Sequence, residues 1–370
     1  GPKPKLAEDF LTLGDVIYVR RTVDQRWKLS QIPSAQSALV SLSPKNGAVL
    51  SLVGGFDFNH SNFNRATQAQ RQPGSNFKPF IYTSALENGL TPATIINDAP
   101  VVFEDEQLES TWRPENYSHK FYGPTRLRQG LIKSRNIVSI RLLDRIGISN
   151  AIGTLEKFGF NPDLLPKDLS LALGTHAVTP LDVAGAYAIF ANGGYRINPY
   201  IIDRIEDSRG NIIYQATPLT VCPDCDKGIS KDEITYENEE SNPFTHLAVT
   251  EYDFQDDPFE LGFETKTQLR MLEPKDFPRA PKVLSDQVAF IIDSILRDVV
   301  MRGTGKSARR ILKRTDLAGK TGTTNGPLDS WFSGYHPEIV ASAWVGFDQN
   351  ALLGRRESGA SAALPIWIDY

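Results

Sequence analysis

The sequence predicts an α+β fold: an antiparallel sheet flanked by helices, joined to a mostly helical second subdomain. Three observations carry this expectation. A hairpin signature opens the main body at 37–55, three short β-rich runs close the chain, and capped or amphipathic helical segments fill the middle. Strands at both ends with helices between assemble most simply as one sheet packed against those helices.

Taken in order, 14–31 ("GDVIYVRRTVDQRWKLSQ") reads as two short strands around a charged turn, too few for a domain. In 37–55 two β-rich runs flank Pro-Lys-Asn-Gly, and Asn-Gly supplies the positive φ that a tight turn needs. A helix is expected from about Ser75 to Asn88, stopped by Gly89 and Pro92. Further helices fit 126–133 and 137–146. A longer one at 178–194 has Thr179 as its cap, Pro180 at its first position and Gly193 as terminator. In 285–303, Val288, Ile291, Ile292, Ile295, Leu296 and Val299 form the stripe of a core-facing helix. The closing runs "LAGKTGT", "SWFSGYHP" and "IVASAWVGF" read as a meander, with turns at Asn325-Gly326-Pro327 and His336-Pro337. The acidic stretch 216–284 lacks periodicity and reads as a flexible surface insertion.

Bulk composition narrows the function classes. The net charge of −4 gives no electrostatic reason to expect a nucleic-acid partner. No apolar run reaches the roughly 18 residues a membrane span needs, and no signal peptide is visible. "GPKPKLAEDF" does not read as a natural start, so an excised fragment is expected. The five histidines show no metal spacing. Cys222 and Cys225 make half a zinc site with nothing to complete it, in a Pro- and Asp-rich loop. A local disulfide or plain thiol pair is expected there, ahead of metal or redox chemistry. No metal and no cofactor are expected.

Three patterns could carry chemistry. In "RQPGSNFKPF", Ser75 follows a Pro-Gly turn and stands three residues before Lys78. Positions i and i+3 share a helix face, so the amine can reach the hydroxyl. The helix start adds N–H groups that favour a developing oxyanion. Burial beside other cations would lower the lysine pKa enough for a general base. Taken alone, the pair still favours a plain N-cap with a solvated lysine. In "GLIKSRNIVSIRLL", Ser134 and Asn136 lie two apart at a helix junction, where a turn can aim both at one cleft. A helix break with polar residues is as natural a reading. In "GKTGTT", Lys320 offers a cation, Thr321 and Thr323 hydroxyls, and Gly322 close backbone approach on a strand. An edge strand there could also add an extended peptide. "RGTGKSA" (302–308) has the look of a phosphate loop, but it lacks the first glycine and follows a helix, so it is set aside.

Ser-x-x-Lys, Ser-x-Asn and Lys-Thr-Gly in this order are shared by penicillin-binding proteins and serine β-lactamases. The sequence most resembles class A penicillin-binding proteins, the bifunctional peptidoglycan synthases. Besides the motifs, "YGPTRLRQGLIKSRN", "LALGTHAVTPLDVAGAYAIFANGG" and "GKTGTTNGPLDSWFSGYHP" carry the resemblance, which covers about 33–370. It implies a β-lactamase/transpeptidase-like fold over 33–370, and a linker with an OB-like remnant over 1–32. No glycosyltransferase domain is expected in this chain. It implies a periplasmic enzyme whose anchor lies outside the chain. The implied activity is serine DD-transpeptidation of pentapeptide stems ending in D-Ala-D-Ala, with β-lactam antibiotics as covalent inhibitors. In that scheme Ser75 is the nucleophile and Lys78 its base. Ser134 relays a proton under the influence of Lys320, and Asn136 grips the donor peptide. Thr321, Gly322 and Thr323 receive the substrate, while the N–H groups of Ser75 and Thr323 form the oxyanion hole.

Rival readings share these motifs. A class A β-lactamase needs a glutamate to activate water. The nearest candidate, Glu156 in "TLEKFGF", lacks the surrounding Glu-x-x-Leu-Asn pattern. A β-lactam sensor that acylates without transfer, or a DD-carboxypeptidase with water as acceptor, needs the same residues.

Overall fold

The structure, a computed structural model, describes residues 6–105, 110–222, 277–324 and 326–370. Strands β1 (Tyr18–Arg21) and β2 (Trp27–Ser30) form a separate hairpin, as 14–31 suggested. Next come β3 (Gln36–Leu42) and β4 (Val49–Val53), then helix α1 (Lys78–Glu87). Four short strands follow that the sequence did not announce. They are β5 (Ile95–Asp98), the hairpin β6 (Phe103–Asp105) and β7 (Ser110–Trp112), and β8 (Gly123–Arg126), which pairs with β5.

The helical middle contains α2 (Leu127–Ile132), α3 (Asn136–Ile146), the unanticipated α4 (Ile148–Lys157), and α5 (Pro180–Ala191). Thr179 caps α5 as expected, its hydroxyl accepting the Asp182 N–H at 3.1 Å. A small hairpin, β9 (Arg204–Glu206) and β10 (Ile212–Gln215), precedes α6 (Asp286–Arg302) and α7 (Lys306–Leu312). The chain closes with β11 (Ala318–Thr323), β12 (Asp329–His336), β13 (Ile339–Gly346) and α8 (Leu364–Asp369).

The expected sheet forms from the first hairpin and the last meander, antiparallel throughout, in the order β11-β12-β13-β3-β4. Alternate residues serve two cores. Val40, Leu42, Trp331, Tyr335 and Trp344 face the larger one with α5 and α6, whereas Leu39, Phe332, Ala341 and Ala343 face α7 and α8. Helices on both faces explain why β12 is buried at nearly every position and shows no polar–apolar alternation. Helix α1 is buried from Lys78 to Leu86, the environment of a central helix.

The insertion is narrower than expected. Ala280 and Leu284 belong to the core, and Thr220 is tied by backbone hydrogen bonds to Pro278 and Ala280, so both flanks are integral to the fold. The remainder, 223–276, lies outside the described residues, and Cys225 with it; Cys222 is disulfide-bonded. Among the described residues no helix is long and apolar enough to cross a membrane, and no group of three His, Cys, Asp or Glu could hold a metal.

Candidate active site

Ser75 does not begin α1. It sits in a tight 3₁₀ turn, Gly74–Phe77, and the α-helix starts at Lys78. In a 3₁₀ turn positions i and i+3 eclipse, and the Lys78 backbone N–H closes this one on Ser75 O. This turn is pinned from several sides. The Trp331 indole donates to Gln72 O at 2.8 Å, Gly74 N–H donates to Gly174 O at 3.1 Å, and Arg71 pairs with Asp329 at 2.7 Å. Beneath it, buried Asn76 donates to the Ser333 hydroxyl at 2.8 Å, and the Tyr187 hydroxyl donates to Asn76 O at 2.7 Å. Two glycines permit this closeness. A Cβ on Gly322 would stand 2.5 Å from Pro73 O, and one on Gly174, whose φ is +66°, would stand 2.4 Å from Gly74 O. The Gly74–Phe77 turn is thereby pressed onto β11.

Lys78 is fully buried, and its amine donates to Ser134 O at 2.8 Å and to Asn136 Oδ1 at 2.7 Å, with a longer contact to Ser134 Oγ at 3.4 Å. Among the described residues none of its hydrogen bonds goes to Ser75, although i, i+3 reasoning pointed there. A neutral amine has two N–H groups and one lone pair. The two short bonds occupy the N–H groups and leave the lone pair free to accept a proton. Burial lowers the Lys78 pKa well below the ordinary lysine value, assisted by the positive charges of Lys320 and Arg135 and opposed by Asp98.

Ser134 occupies the turn between α2 and α3 with φ +54°, a left-handed conformation that is costly for a residue with a Cβ. That turn brings Ser134 and Asn136 to one cleft, as their spacing suggested. Lys320 comes from the opposite wall, fully buried, and donates to Ser134 Oγ at 2.9 Å and Thr321 O at 2.8 Å. Burial lowers its pKa to about 7. The Asn136 carbonyl serves Lys78, and one of its amide N–H groups donates to Glu115 O at 2.8 Å, leaving the other N–H for a ligand.

A second layer escaped the sequence reading. Asn116 Oδ1 accepts the Asn136 backbone N–H at 2.8 Å, and its amide donates to buried Asp98 at 2.7 Å. Arg135 approaches the other Asp98 oxygen to 3.9 Å. These residues lie on short strands and loops with no periodic signal.

Strand β11 is an edge strand, as a peptide-adding role requires. Above the buried lysines lies a cleft of about 230 Å³ lined by Ser75, Ser134, Asn136, Thr321 and Thr323. Thr304, Tyr117, Lys133 and Ser358 also line it and were not anticipated. Thr304 comes from the "RGTGKSA" stretch that was set aside. The Thr323 hydroxyl accepts the Gly359 N–H at 3.0 Å. Among the described residues lining the cleft none is acidic. Glu156 is exposed on α4 and does not line it.

Residues 37–246 match the penicillin-binding protein transpeptidase domain, and residues 1–35 match the penicillin-binding protein OB-like domain. The chain belongs to the family of penicillin-binding protein transpeptidases. It is 50% identical over its full length to penicillin-binding protein 1A of Pseudomonas aeruginosa, covering 44% of that protein. With penicillin-binding protein 1A of Escherichia coli the identity is 41%, covering 46% of it. The chain thus spans under half the length of these curated relatives. Among solved structures, penicillin-binding protein 1A from Haemophilus influenzae is 38% identical, with a TM-score of 0.79 over 95% of this chain and 49% of that one. PonA1 from Mycobacterium tuberculosis, solved in complex with penicillin V, shares the fold at 20% identity, with a TM-score of 0.64 over 91% of this chain and 77% of that one.

Proposed function

We propose that the chain is a serine DD-transpeptidase that cross-links peptidoglycan stem peptides and is acylated by β-lactams at Ser75. The observation that carries this reading is the convergence of two buried amines, Lys78 at 3.4 Å and Lys320 at 2.9 Å, on the Ser134 hydroxyl beside Ser75.

With Lys78 neutral, its lone pair takes the Ser75 proton as Oγ attacks the penultimate D-alanine carbonyl. The N–H groups of Ser75 and Thr323 receive the oxyanion. On collapse the C–N bond breaks and Ser134 hands a proton to the departing D-alanine amine, replenished from Lys78 or Lys320. An acyl ester on Ser75 remains. An amine from a neighbouring stem attacks it, loses its proton to the same relay and restores Ser75. Thr321 and Thr323 hold the substrate carboxylate, Gly322 lets the Ser75 turn lie against the strand that receives the donor peptide, and Asn136 contributes its remaining amide N–H. The acid-free cleft lining supports a long-lived acyl-enzyme over rapid hydrolysis. The names of the similar proteins, penicillin-binding proteins and one solved with penicillin V, support β-lactam acylation, and work on the cell wall outside the cytoplasm is part of the same proposal.

Labelling with a fluorescent penicillin, followed by intact mass over time, tests the reading. One adduct is expected on the native chain and none on Ser75→Ala; an unlabelled native chain overturns it. Rapid loss of the adduct points instead to a β-lactamase. A stem-peptide donor with an amine acceptor then separates transfer from carboxypeptidase hydrolysis and from a sensor that transfers nothing.

A further inference from the structure

The turn between α6 and α7 contains Thr304, whose hydroxyl lies 2.7 Å from the Thr321 hydroxyl. The turn is firmly held. Gly303 and Gly305 both donate their N–H to Val299 O, at 3.0 and 3.1 Å. A Cβ on Gly303 would come within 2.6 Å of Ile132 O, so the turn is pressed against the end of α2. The Lys133 amine also reaches Arg302 O at 3.4 Å. The turn therefore bridges the wall that carries Ser134 and the strand that carries Lys320 and Thr321.

The usual task of a threonine beside a helix start is capping, but α7 is preceded by Gly305 and receives no side-chain cap. Among the described residues the two hydroxyls have no hydrogen-bond partner but each other. One O–H is consumed in their mutual bond, which leaves one O–H to donate, and both residues line the cleft. The buried Lys320 amine donates to the backbone oxygen of Thr321 and in its protonated form adds positive charge to this side of the cleft. A ligand group that only accepts hydrogen bonds and carries negative charge completes this arrangement.

We propose that Thr304 is a positioning residue for carboxylate recognition. It donates to Thr321 Oγ1 and so turns the Thr321 O–H toward the carboxylate of the acyl donor, whether stem peptide or β-lactam. The inference rests on the transpeptidase reading and adds to it a residue outside the three motifs. Two hydroxyls in series polarise one another, which strengthens the terminal bond to an anion.

The test compares acylation of the 370-residue chain by benzylpenicillin and by its methyl ester, which lacks the charge. Thr304→Val keeps the shape and removes the hydroxyl. It should lower the second-order acylation rate for benzylpenicillin about tenfold, the worth of one hydrogen bond to a charged group. The rate for the ester should stay within about twofold, the same loss of a neutral contact being small. Thr304→Ser should restore the native preference, and Thr304→Ala should reproduce the loss if the valine variant folds poorly. Equal losses for acid and ester, an unchanged acid rate, or failure of serine to rescue each overturn the proposal. Failure of the native chain to acylate with either compound overturns the transpeptidase reading itself, a distinct outcome.

Discussion

Lys78 and Lys320 reach the same oxygen from opposite walls of the cleft, the Ser134 hydroxyl, at 3.4 and 2.9 Å. Two buried amines around one hydroxyl cannot both keep a proton at little cost. Each charge disfavours the other, and burial disfavours both. The pair therefore favours a neutral amine, the form the proposed acylation of Ser75 uses.

The charges around Lys78 should set the acid limb of the acylation profile. With Lys78 as the proposed base, acylation needs its neutral form, so the rate should rise with pH through its folded pKa. Arg135 lowers that pKa and Asp98 raises it. Arg135→Gln should therefore move the acid limb to higher pH, and Asp98→Asn to lower pH, while retaining the carbonyl that accepts from Asn116. The rate of penicillin acylation measured against pH checks both; shifts in the same direction would contradict this electrostatic account.

The left-handed Ser134 separates conformation from chemistry. Ser134→Ala and Ser134→Gly remove the same hydroxyl and should slow acylation alike, by about 100-fold or more, the usual worth of a positioned proton relay. Only glycine relieves the φ of +54°. The glycine variant should be more stable than the alanine variant by about 1 kcal/mol, the left-handed penalty less the added entropy of the unfolded chain. Denaturant unfolding of the two variants checks the difference.

How much of this was legible depends on the range of the interaction. The first hairpin and the final meander are visible because turn residues such as Asn46-Gly47 and Asn325-Gly326 punctuate β-rich runs. Ser75, Lys78, Ser134, Asn136 and Lys320 stand out by type and spacing. Their coupling does not, because the lowered pKa of Lys78 comes first from burial and then from the charge of Lys320, both of which only the fold supplies. Strands β5 to β8 are each four residues or fewer, too short for an alternation to register. Asn116 and Thr304 meet the cleft residues through hydrogen bonds to partners distant in sequence, from a loop and a turn, which leave no pattern in the chain.

Gly322 should matter for position more than for stability. A methyl group there would meet Pro73 O at 2.5 Å and the Asn76 Cβ at 2.7 Å, the cap and a member of the Gly74–Phe77 turn that carries Ser75. Relief requires that turn to lift from β11, which displaces Ser75 from Thr323. Gly322→Ala should lower the acylation rate about 100-fold, the cost of an ångström-scale misplacement. The stability loss should be about 1–3 kcal/mol, typical of overpacking. Acylation kinetics beside a urea melt distinguish this from general unfolding, in which the two losses would rise together.

His176 should make the fold sensitive to mild acid. Its ring packs edge-on to Phe77, with centroids 4.2 Å apart, and among the described residues neither ring nitrogen has a hydrogen-bond partner. Burial lowers its pKa from 6.5 to about 4. A histidine kept neutral in the folded chain binds a proton more readily when unfolded. Its contribution to stability is therefore intact above pH 6.5 and declines as pH falls toward 4. The full shift corresponds to about 3 kcal/mol. His176→Leu, similar in bulk and unable to titrate, should flatten that part of the stability profile and exceed the native chain in stability near pH 4.5. Urea midpoints for both proteins between pH 7 and 4 decide the matter. Parallel curves would mean that the buried ring finds a proton acceptor or water as the pH falls.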